Sequence, residues 1–321
     1  MDRSLLKSAL RMSKFQFYLQ NIAQFLFCPD VSYRAILDSK LSSVSDFDES
    51  EILNRVEYYN KVDFEFQLGD SSKRLSDLSL FEKTLYYFDY RRILRHFPKT
   101  NRAEYLFGDI NWVLNMPTFV KSRPIVKDNE NNVLLRLVSA RHFFTISDPF
   151  SYSEKKDSLI WRGAAKQAHR RVLLEKHFNT SCCDVGHVGE SVEGLESAWQ
   201  KNKLSIFEQL KYKFILSIEG YDVATNLKWI AQSNSVCFMT KPKVESWFME
   251  GCLIPDFHYV LLKDDYSDLE EKVEFYISNP GQAEEISRNL QKYYSGFSDL
   301  KKEELIGLLV AKKYFELSGQ I

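Results

Sequence analysis

Residues 211–228 read KYKFILSIEGYDVATNLK, and this stretch decides the fold class. The apolar residues 214–218 predict a buried strand, Glu219-Gly220 predicts a turn, and a helix is predicted to restart at Asp222. A strand, glycine turn and helix N-terminus in this order commonly hold an anionic ligand, because backbone N–H groups and the helix dipole favour negative charge there. The stretch therefore predicts an anion site at the end of a strand.

A second strand–turn–helix unit lies upstream, in the sequence SLIWRGAAKQAHRR of residues 158–171. Its strand is predicted at 158–161, its turn at Arg162-Gly163 and its helix at 164–175. Positive charge at Arg162 and Arg170 is unfavourable near the start of a helix unless an anion binds there. Because arginine binds phosphate oxygens through two N–H groups, we interpret Arg162 as an anion ligand rather than a structural residue.

Strands alternate with helices from about residue 133 to residue 279, which predicts a mainly parallel sheet. Further strands are predicted at 133–137, 235–239 and 258–262, and helices at 267–279 and across 281–319. Asp184-Val185-Gly186 is predicted to be a strand-end turn, and residues 195–203 are predicted to be a helical connector.

The N-terminal part contains features that have both a functional and a structural interpretation. Asp46-Phe47-Asp48 has the form of a metal-binding DxD triplet, but it precedes a predicted helix, so we favour N-capping. A helix is predicted at 81–97, and a basic stretch that includes Arg91 and Arg92 begins within it. This basic stretch is either a solvated helix face or a contact surface for an anionic acceptor or lipid headgroups. Residues 1–27 predict an amphipathic helix that packs on the body or contacts a membrane surface.

Residues 105–143 bring together several polar side chains, among them Asp109, Lys121 and Arg123, between short apolar runs. Such a concentration in strand-end loops is typical of an α/β active site. The alternative is a proline-bounded surface loop that carries these residues for solubility.

Composition narrows the class of protein. The chain has 321 residues, which allows two ordinary domains or one large α/β domain. Its net charge of −1 gives no overall attraction to nucleic acid. The five cysteines form no CxxC pair, which favours free thiols in a reducing cytosol. Neither a signal peptide nor an apolar run long enough for a spanning helix is evident.

Five segments in one order resemble a known family: WRGAA with the following Arg-Arg (161–171), DVG (184–186), KYKFILSIEGYDVATNLKW (211–229), SVCFM (235–239) and residues 258–289. Together they are similar to the CAP10 or lipopolysaccharide-A-type glycosyltransferases, family 90. PTFVKSRPI (117–125) and RHF (141–143) resemble its bacterial branch. The resemblance covers roughly residues 100–300.

The resemblance implies an α/β fold of the GT-B type, with two Rossmann-like lobes, a cleft between them and added N- and C-terminal helices. Residues 1–145 would form the acceptor-side lobe, 146–285 the nucleotide-sugar-binding lobe, and 286–321 C-terminal helices that pack back on the body. The implied donor is a UDP-sugar, with neither a cofactor nor a metal required.

The resemblance also assigns roles to residues. Asp109 would be the catalytic base, although its flanking sequence FGDIN departs from the form in the eukaryotic branch. Independently of the resemblance, the basic residues Lys121, Arg123, Arg91 and Arg92 are candidates for contact with the acceptor or another anion. The candidate donor-binding residues are Arg162, Gly163, Arg170, Gly220, Asp222, Asn226, Lys228 and Glu245.

The expected reaction transfers a hexose, glucose or galactose, from a UDP-sugar to a hydroxyl of lipopolysaccharide core or a related surface glycan, with inversion. The alternatives are a protein O-glycosyltransferase and a non-catalytic scaffold that binds nucleotide sugars. The expected location is the cytoplasm, with peripheral contact to the inner face of the inner membrane as a further option. No nucleic-acid partner is expected.

Overall fold

The computed structural model describes residues 30–78 and 84–321. These residues form two compact units. The sheet unit comprises His142–Pro242 and Gly251–Gly296, and the mixed unit comprises the described residues up to Arg141 with Lys243–Glu250 and Phe297–Ile321. The helix predicted at 1–27 lies outside the described residues, as does the start of the helix predicted at 81–97.

The helices and strands are numbered in chain order. The helices are α1 (Asp30–Ala35), α2 (Leu37–Ser42), α3 (Glu49–Tyr59), α4 (Thr84–Leu94), α5 (Ser139–His142), α6 (Ala168–His177), α7 (Ile206–Gln209), α8 (Leu227–Ile230), α9 (Leu269–Ser278), α10 (Pro280–Ser295) and α11 (Leu300–Leu317). The strands are β1 (Lys73–Arg74), β2 (Arg102–Ala103), β3 (Tyr105–Leu106), β4 (Thr118–Val120), β5 (Ser122–Pro124), β6 (Asn132–Leu134), β7 (Lys156–Gly163), β8 (Cys183–His187), β9 (Tyr212–Leu216), β10 (Val236–Thr240), β11 (Val244–Ser246) and β12 (Val260–Leu262).

The sheet unit is built on a five-stranded sheet in the order β12-β10-β9-β7-β8, and every neighbouring pair is parallel. The order is that of a doubly wound sheet, in which the chain places β8 on one side of β7 and then crosses to put β9 on the other. The predicted mainly parallel sheet is thus confirmed.

The central strands are apolar on both faces, as expected for a parallel sheet covered by helices. Phe214 and Leu216 of β9 belong to a core that also contains Leu173 of α6, Val273 of α9 and Ile286 of α10. Burial of these side chains accounts for the near-continuous hydrophobic runs that predicted the strands.

The mixed unit contains smaller sheets. β3, β4 and β6 form a parallel three-stranded sheet, whereas β1 with β2 and β5 with β11 form antiparallel pairs. Helix α11 belongs to this unit and packs in it through aromatic contacts, with the ring centroids of Tyr314 and Phe119 at 4.3 Å and those of Phe315 and Phe97 at 4.9 Å.

Several local predictions differ from the structure. The helix predicted from Asp222 is wrong: α8 begins at Leu227 and is only four residues long. The first helix after β7 begins at Ala168, not at 164, because residues 164–167 continue the turn. Residues 184–186 lie inside β8 rather than in a turn, and the segment 195–203 contains only a short 3-10 turn, Ser197–Trp199.

The interpretation of the DxD triplet as a cap is confirmed. Asp48 is the N-cap of α3, and its Oδ1 accepts a hydrogen bond from the N–H of Glu51 at 3.1 Å. Within residues 30–78 and 84–321, no helix has the length and apolarity needed to cross a bilayer.

Candidate active site

The sheet unit has one topological switch point, between β7 and β9. These strands are hydrogen-bonded neighbours, and their parallel register pairs Ile160 with Ile215. In open α/β sheets, ligands bind outside the carboxyl ends of the strands where the order reverses. The turn after Gly163 and the turn at Glu219-Gly220 follow these two strands, so both lie at the expected position.

Arg170 holds the two turns together. Its Nη1 donates to the carbonyl of Ala164 at 3.0 Å, its Nη2 to that of Ile218 at 2.9 Å, and its Nε to that of Glu219 at 2.9 Å. His169 adds a second bond to the Glu219 carbonyl, from Nε2 at 2.9 Å. The turns that the sequence identified separately are therefore joined by one side chain.

The charge of Arg170 has no carboxylate partner among the described residues. Burial lowers the pKa of its guanidinium, as expected for a cation taken out of water. A guanidinium carries five N–H donors, so two remain after the three bonds to carbonyls. A half-buried cation with spare donors at strand ends is a favourable place for an anion.

Arg162 is engaged differently. Its Nη2 lies 2.7 Å from Oδ1 of Asp184, and the same oxygen accepts from Nζ of Lys201 at 2.7 Å. Tyr212 donates to the other oxygen of Asp184 at 3.0 Å. Partial burial acts to raise the pKa of Asp184, but the hydrogen bonds from Lys201 and Arg162 outweigh it and hold that pKa below its usual range. Arg162 thus shares one carboxylate with Lys201, and its predicted contact with phosphate stays a prediction.

Gly163 permits a close approach in the turn after β7. A Cβ atom at this position would lie 2.6 Å from Cζ2 of Trp161, which is buried. The same turn is fixed by His187, whose Nδ1 accepts from the N–H of Ala165 at 3.0 Å and whose Nε2 donates to the carbonyl of Glu190 at 2.9 Å. The turn is therefore shaped before any ligand binds.

The second turn owes its shape to side chains rather than to a helix. Asn226 donates from Nδ2 to the carbonyl of Leu216 at 2.9 Å and accepts from Oγ of Ser217 at 3.2 Å. The N–H of Gly220 donates to the carbonyl of Asp222 at 2.8 Å. Asp222 and Lys228 are both buried in this segment. An anion near Gly220 would meet this turn and Arg170, not the end of a long helix.

Asp109 lies in the mixed unit, directly after Gly108, whose φ of +151° suits glycine. Its Oδ1 accepts from Nζ of Lys121 at 2.6 Å. The Asp109 side chain is 45% exposed, whereas that of Lys121 is 7% exposed. The structure therefore brings together the candidate base and one acceptor candidate, with the carboxylate open to solvent.

Arg123 and Glu245, in contrast, form a buried ion pair. Nε of Arg123 lies 2.7 Å from Oε1 of Glu245, and the two side chains are 0% and 2% exposed. Arg123 also donates to the carbonyl of Tyr58 at 2.6 Å, and the hydroxyl of Tyr58 donates to Glu245. The pair joins β5 to β11, which is a structural role; the predicted ligand contacts of these two residues are untested.

Arg91 and Arg92 lie on α4 of the mixed unit. Arg91 forms an ion pair with Asp30 at 2.6 Å, and Asp30 also lies 3.2 Å from Arg95. Arg92 is 45% exposed and lies 3.8 Å from Asp89. The basic stretch is thus partly neutralised, and Arg92 keeps the more accessible charge of the two.

Sequence reasoning missed the groups that shape the first turn. Asp184 was read as part of a turn, and His187 was not singled out. Their partners, Lys201 and Ala165, come from other segments of the chain, so no local pattern marks them.

The chain has the doubly wound α/β fold, and in this class of proteins the switch point is where ligands commonly bind. The model of glycosyl transferase family 90 matches residues 140–306. This match spans the sheet unit and about half of the chain. The chain therefore belongs to glycosyl transferase family 90, and the resemblance seen in the sequence is confirmed.

Similar proteins come from several sources. The O-glucosyltransferase LpsA of Dichelobacter nodosus is 44% identical over 266 residues, which is 83% of this chain and 83% of that protein. Protein O-glucosyltransferase 3 of Rattus norvegicus is 30% identical over 146 residues, 44% of this chain and 28% of that protein. The uncharacterized protein 179R of Invertebrate iridescent virus 6 is 29% identical over 184 residues, 53% of this chain and 14% of that protein. The chain is a glycosyltransferase of the bacterial branch.

Proposed function

We propose that the chain transfers glucose from UDP-glucose to a hydroxyl of lipopolysaccharide core or a related surface glycan. Membership of the family supports glycosyl transfer, and the name of the Dichelobacter nodosus relative supports a glucosyl group. The similarity to that bacterial protein extends over 83% of both chains, whereas the similarity to the rat protein O-glucosyltransferase covers 28% of that protein. A glycan acceptor is therefore favoured over a protein acceptor.

The observation that supports the donor site is the half-buried guanidinium of Arg170 at the switch point, which has carbonyl partners and, among the described residues, no carboxylate. A departing UDP develops negative charge on its β-phosphate, and preorganised N–H donors stabilise such charge in a water-poor site. The two N–H groups of Arg170 that make no bond to a carbonyl are suited to this task. We assign the diphosphate to Arg170 first, with Arg162 as a candidate only if it leaves its ion pair with Asp184.

The proposed base is Asp109. The bond from Lys121 occupies one carboxylate oxygen at 2.6 Å, and the exposed side chain leaves the other oxygen for an acceptor hydroxyl. The carboxylate would remove the proton of that hydroxyl as the oxygen attacks C1 of the glucosyl group and UDP departs. One base and a single displacement give inversion at C1. The two units would then act as the donor and acceptor lobes of a GT-B enzyme that works at the cytoplasmic face of the inner membrane.

The donor assignment is tested by thermal-shift measurements of the full chain with UDP-, GDP- and CMP-sugars. A ligand that binds only the native state stabilises it, by about 2.7 kcal/mol at a concentration 100 times its Kd. We expect stabilisation by UDP-glucose. A response to CMP-sugars alone contradicts the proposal.

The base assignment is tested by Asp109→Asn. We expect the rate of transfer from UDP-glucose to truncated lipopolysaccharide to fall about 10²- to 10⁴-fold, because the amide cannot accept the proton. Stabilisation by UDP should be retained, since the donor site is unchanged. The matched control is Asp128→Asn, an exposed aspartate of the same unit, which should keep the parent rate. Transfer by Asp109→Asn at the parent rate would remove Asp109 from the mechanism.

A further inference from the structure

The mixed unit contains a cavity of about 350 Å³ that the proposed reaction does not use. Four segments line it: α1, the second half of α4 with the residue that follows it, the stretch 136–139 and the first half of α11. Ile93 and Leu300 supply apolar surface, and Asp89, Arg92 and Ser139 supply polar groups. The volume lies in the range of roughly 300–1,000 Å³ that is typical of small-molecule sites.

Asp89 is the unusual member of this lining. It is 3% exposed, and its Oδ2 accepts from the N–H of Ser139 at 2.6 Å. Its Oδ1 has no hydrogen-bond partner among the described residues. A buried carboxylate oxygen without a donor costs free energy, so the site is suited to a ligand that supplies an O–H or N–H group.

Arg92 provides the complementary group. Its Nη2 lies 3.8 Å from Oδ1 of Asp89, beyond hydrogen-bond distance, and its side chain is 45% exposed. A guanidinium donates and a carboxylate accepts, so the pair can hold both an oxygen and a hydroxyl hydrogen of one ligand.

The other carboxylates of the cavity already have partners. Glu303 pairs with Arg55 at 2.6 Å, and Glu304 pairs with Lys40 at 2.6 Å. Asp89 and Arg92 are therefore the pair to which a ligand would add the most.

The backbone beside Asp89 is strained. Val138 has a φ of +60° and is buried, although a β-branched residue rarely adopts this conformation. The strained residue immediately precedes Ser139, whose N–H binds Asp89. Strain of this kind persists only where surrounding contacts enforce it, and it is concentrated at functional sites.

We infer that this cavity binds one saccharide unit of the acceptor glycan, with a sugar hydroxyl donating to Asp89 Oδ1 and a sugar oxygen accepting from Arg92. A sugar ring has hydroxyls for this pair and C–H faces for Ile93 and Leu300. Burial raises the pKa of the Asp89 carboxyl, in agreement with an oxygen that awaits a donor. The inference rests on the proposed function in naming the acceptor as the source of the sugar.

Saturation-transfer NMR on the full chain tests the site with methyl α-glucopyranoside and methyl β-galactopyranoside as neutral probes. Glucose 6-phosphate and inorganic phosphate serve as anionic probes. We expect a neutral glycoside to bind, and both Arg92→Gln and Asp89→Asn to weaken it about fivefold or more. Arg74→Gln, an exposed arginine of the same unit, should bind as the parent does. Because the Arg92 side chain is 45% exposed, Arg92→Gln tests the site with little expected effect on folding.

Three results overturn the inference. If no neutral glycoside binds, the cavity holds only water. If a glycoside binds equally to the parent and to Arg92→Gln, the sugar binds elsewhere. If phosphate binds and no glycoside does, the cavity is an anion site. The UDP-glucose response is measured on the same samples. If a glycoside binds but UDP-glucose does not stabilise the chain, the proposed transfer is rejected and the saccharide site is kept. If UDP-glucose stabilises the chain but no glycoside binds, only the saccharide site is rejected.

Discussion

Arg170 of the sheet unit and Arg123 of the mixed unit are both largely buried arginines, yet their surroundings differ. Arg123 has Glu245 at 2.7 Å and is 0% exposed. Arg170 has three backbone carbonyls and, among the described residues, no carboxylate. The first arrangement pairs the guanidinium with a carboxylate, whereas the second leaves the guanidinium with carbonyl partners, which is why the proposed diphosphate site is placed at Arg170.

The largest expected effect on stability comes from replacing Arg123. Arg123→Met leaves Glu245 charged and buried, which should cost about 3–5 kcal/mol of unfolding free energy. Denaturant titration of the full chain measures it, with Arg74→Met as an exposed control expected within about 0.5 kcal/mol of the parent.

The double variant Arg123→Met/Glu245→Leu should recover much of that loss, because both charges are then removed. A single variant as stable as the parent would show that the pair is not a structural element, and it would reopen a ligand role for both residues.

Arg170→Lys should have a smaller effect on stability and a specific effect on binding. One ammonium cannot reach three carbonyls in two turns, so we expect a loss of about 1–3 kcal/mol. The Kd for UDP, measured by calorimetry, should rise about tenfold or more, since the planar donors are lost. Arg288→Lys, an exposed site of the same unit, is the control. An unchanged Kd would assign the diphosphate to another group.

The sequence could predict the sheet unit because its strands are apolar on both faces. Residues 214–218 and 235–239 identify β9 and β10 to within two residues. The sequence also locates the turns at Arg162-Gly163 and Glu219-Gly220, but it does not predict the hydrogen bonds that fix them. Bonds such as those from Arg170 to Ile218 and from Asp184 to Lys201 join distant segments, and no local pattern encodes them.

The helix predicted at Asp222 shows how local reasoning fails at a site. Residues after Gly220 have the composition of a helix start, yet Asn226 bonds back to the carbonyl of Leu216 and the chain turns instead. In the mixed unit the predicted cap at Asp48 was found, because capping is local. The buried pair of Arg123 and Glu245 was read as two ligand contacts, since burial is a tertiary property.

The smallest predicted effect is on the pH dependence of stability, and it concerns one aspartate from each unit, Asp184 and Asp89. The pKa of Asp184 is lowered in the folded chain, so its contribution to stability is present above the unfolded pKa of about 3.9 and is lost as the pH falls through the folded value. The pKa of Asp89 is raised by burial, so its ionisation costs stability as the pH rises through that raised value.

Asp184→Asn should therefore destabilise the chain by about 1 kcal/mol near pH 7 and by less as the pH approaches 3. Asp89→Asn should have the opposite sign near pH 7, because its amide still accepts from Ser139 and carries no charge, and the gain should fade toward pH 4. Unfolding free energies from denaturant titrations between pH 3 and pH 8 measure both slopes. If the stability difference between variant and parent changes with pH in the same direction for both variants, the two carboxylates have similar surroundings. The contrast between Arg123, which has a carboxylate partner, and Arg170, which has none among the described residues, would then not extend to the acids.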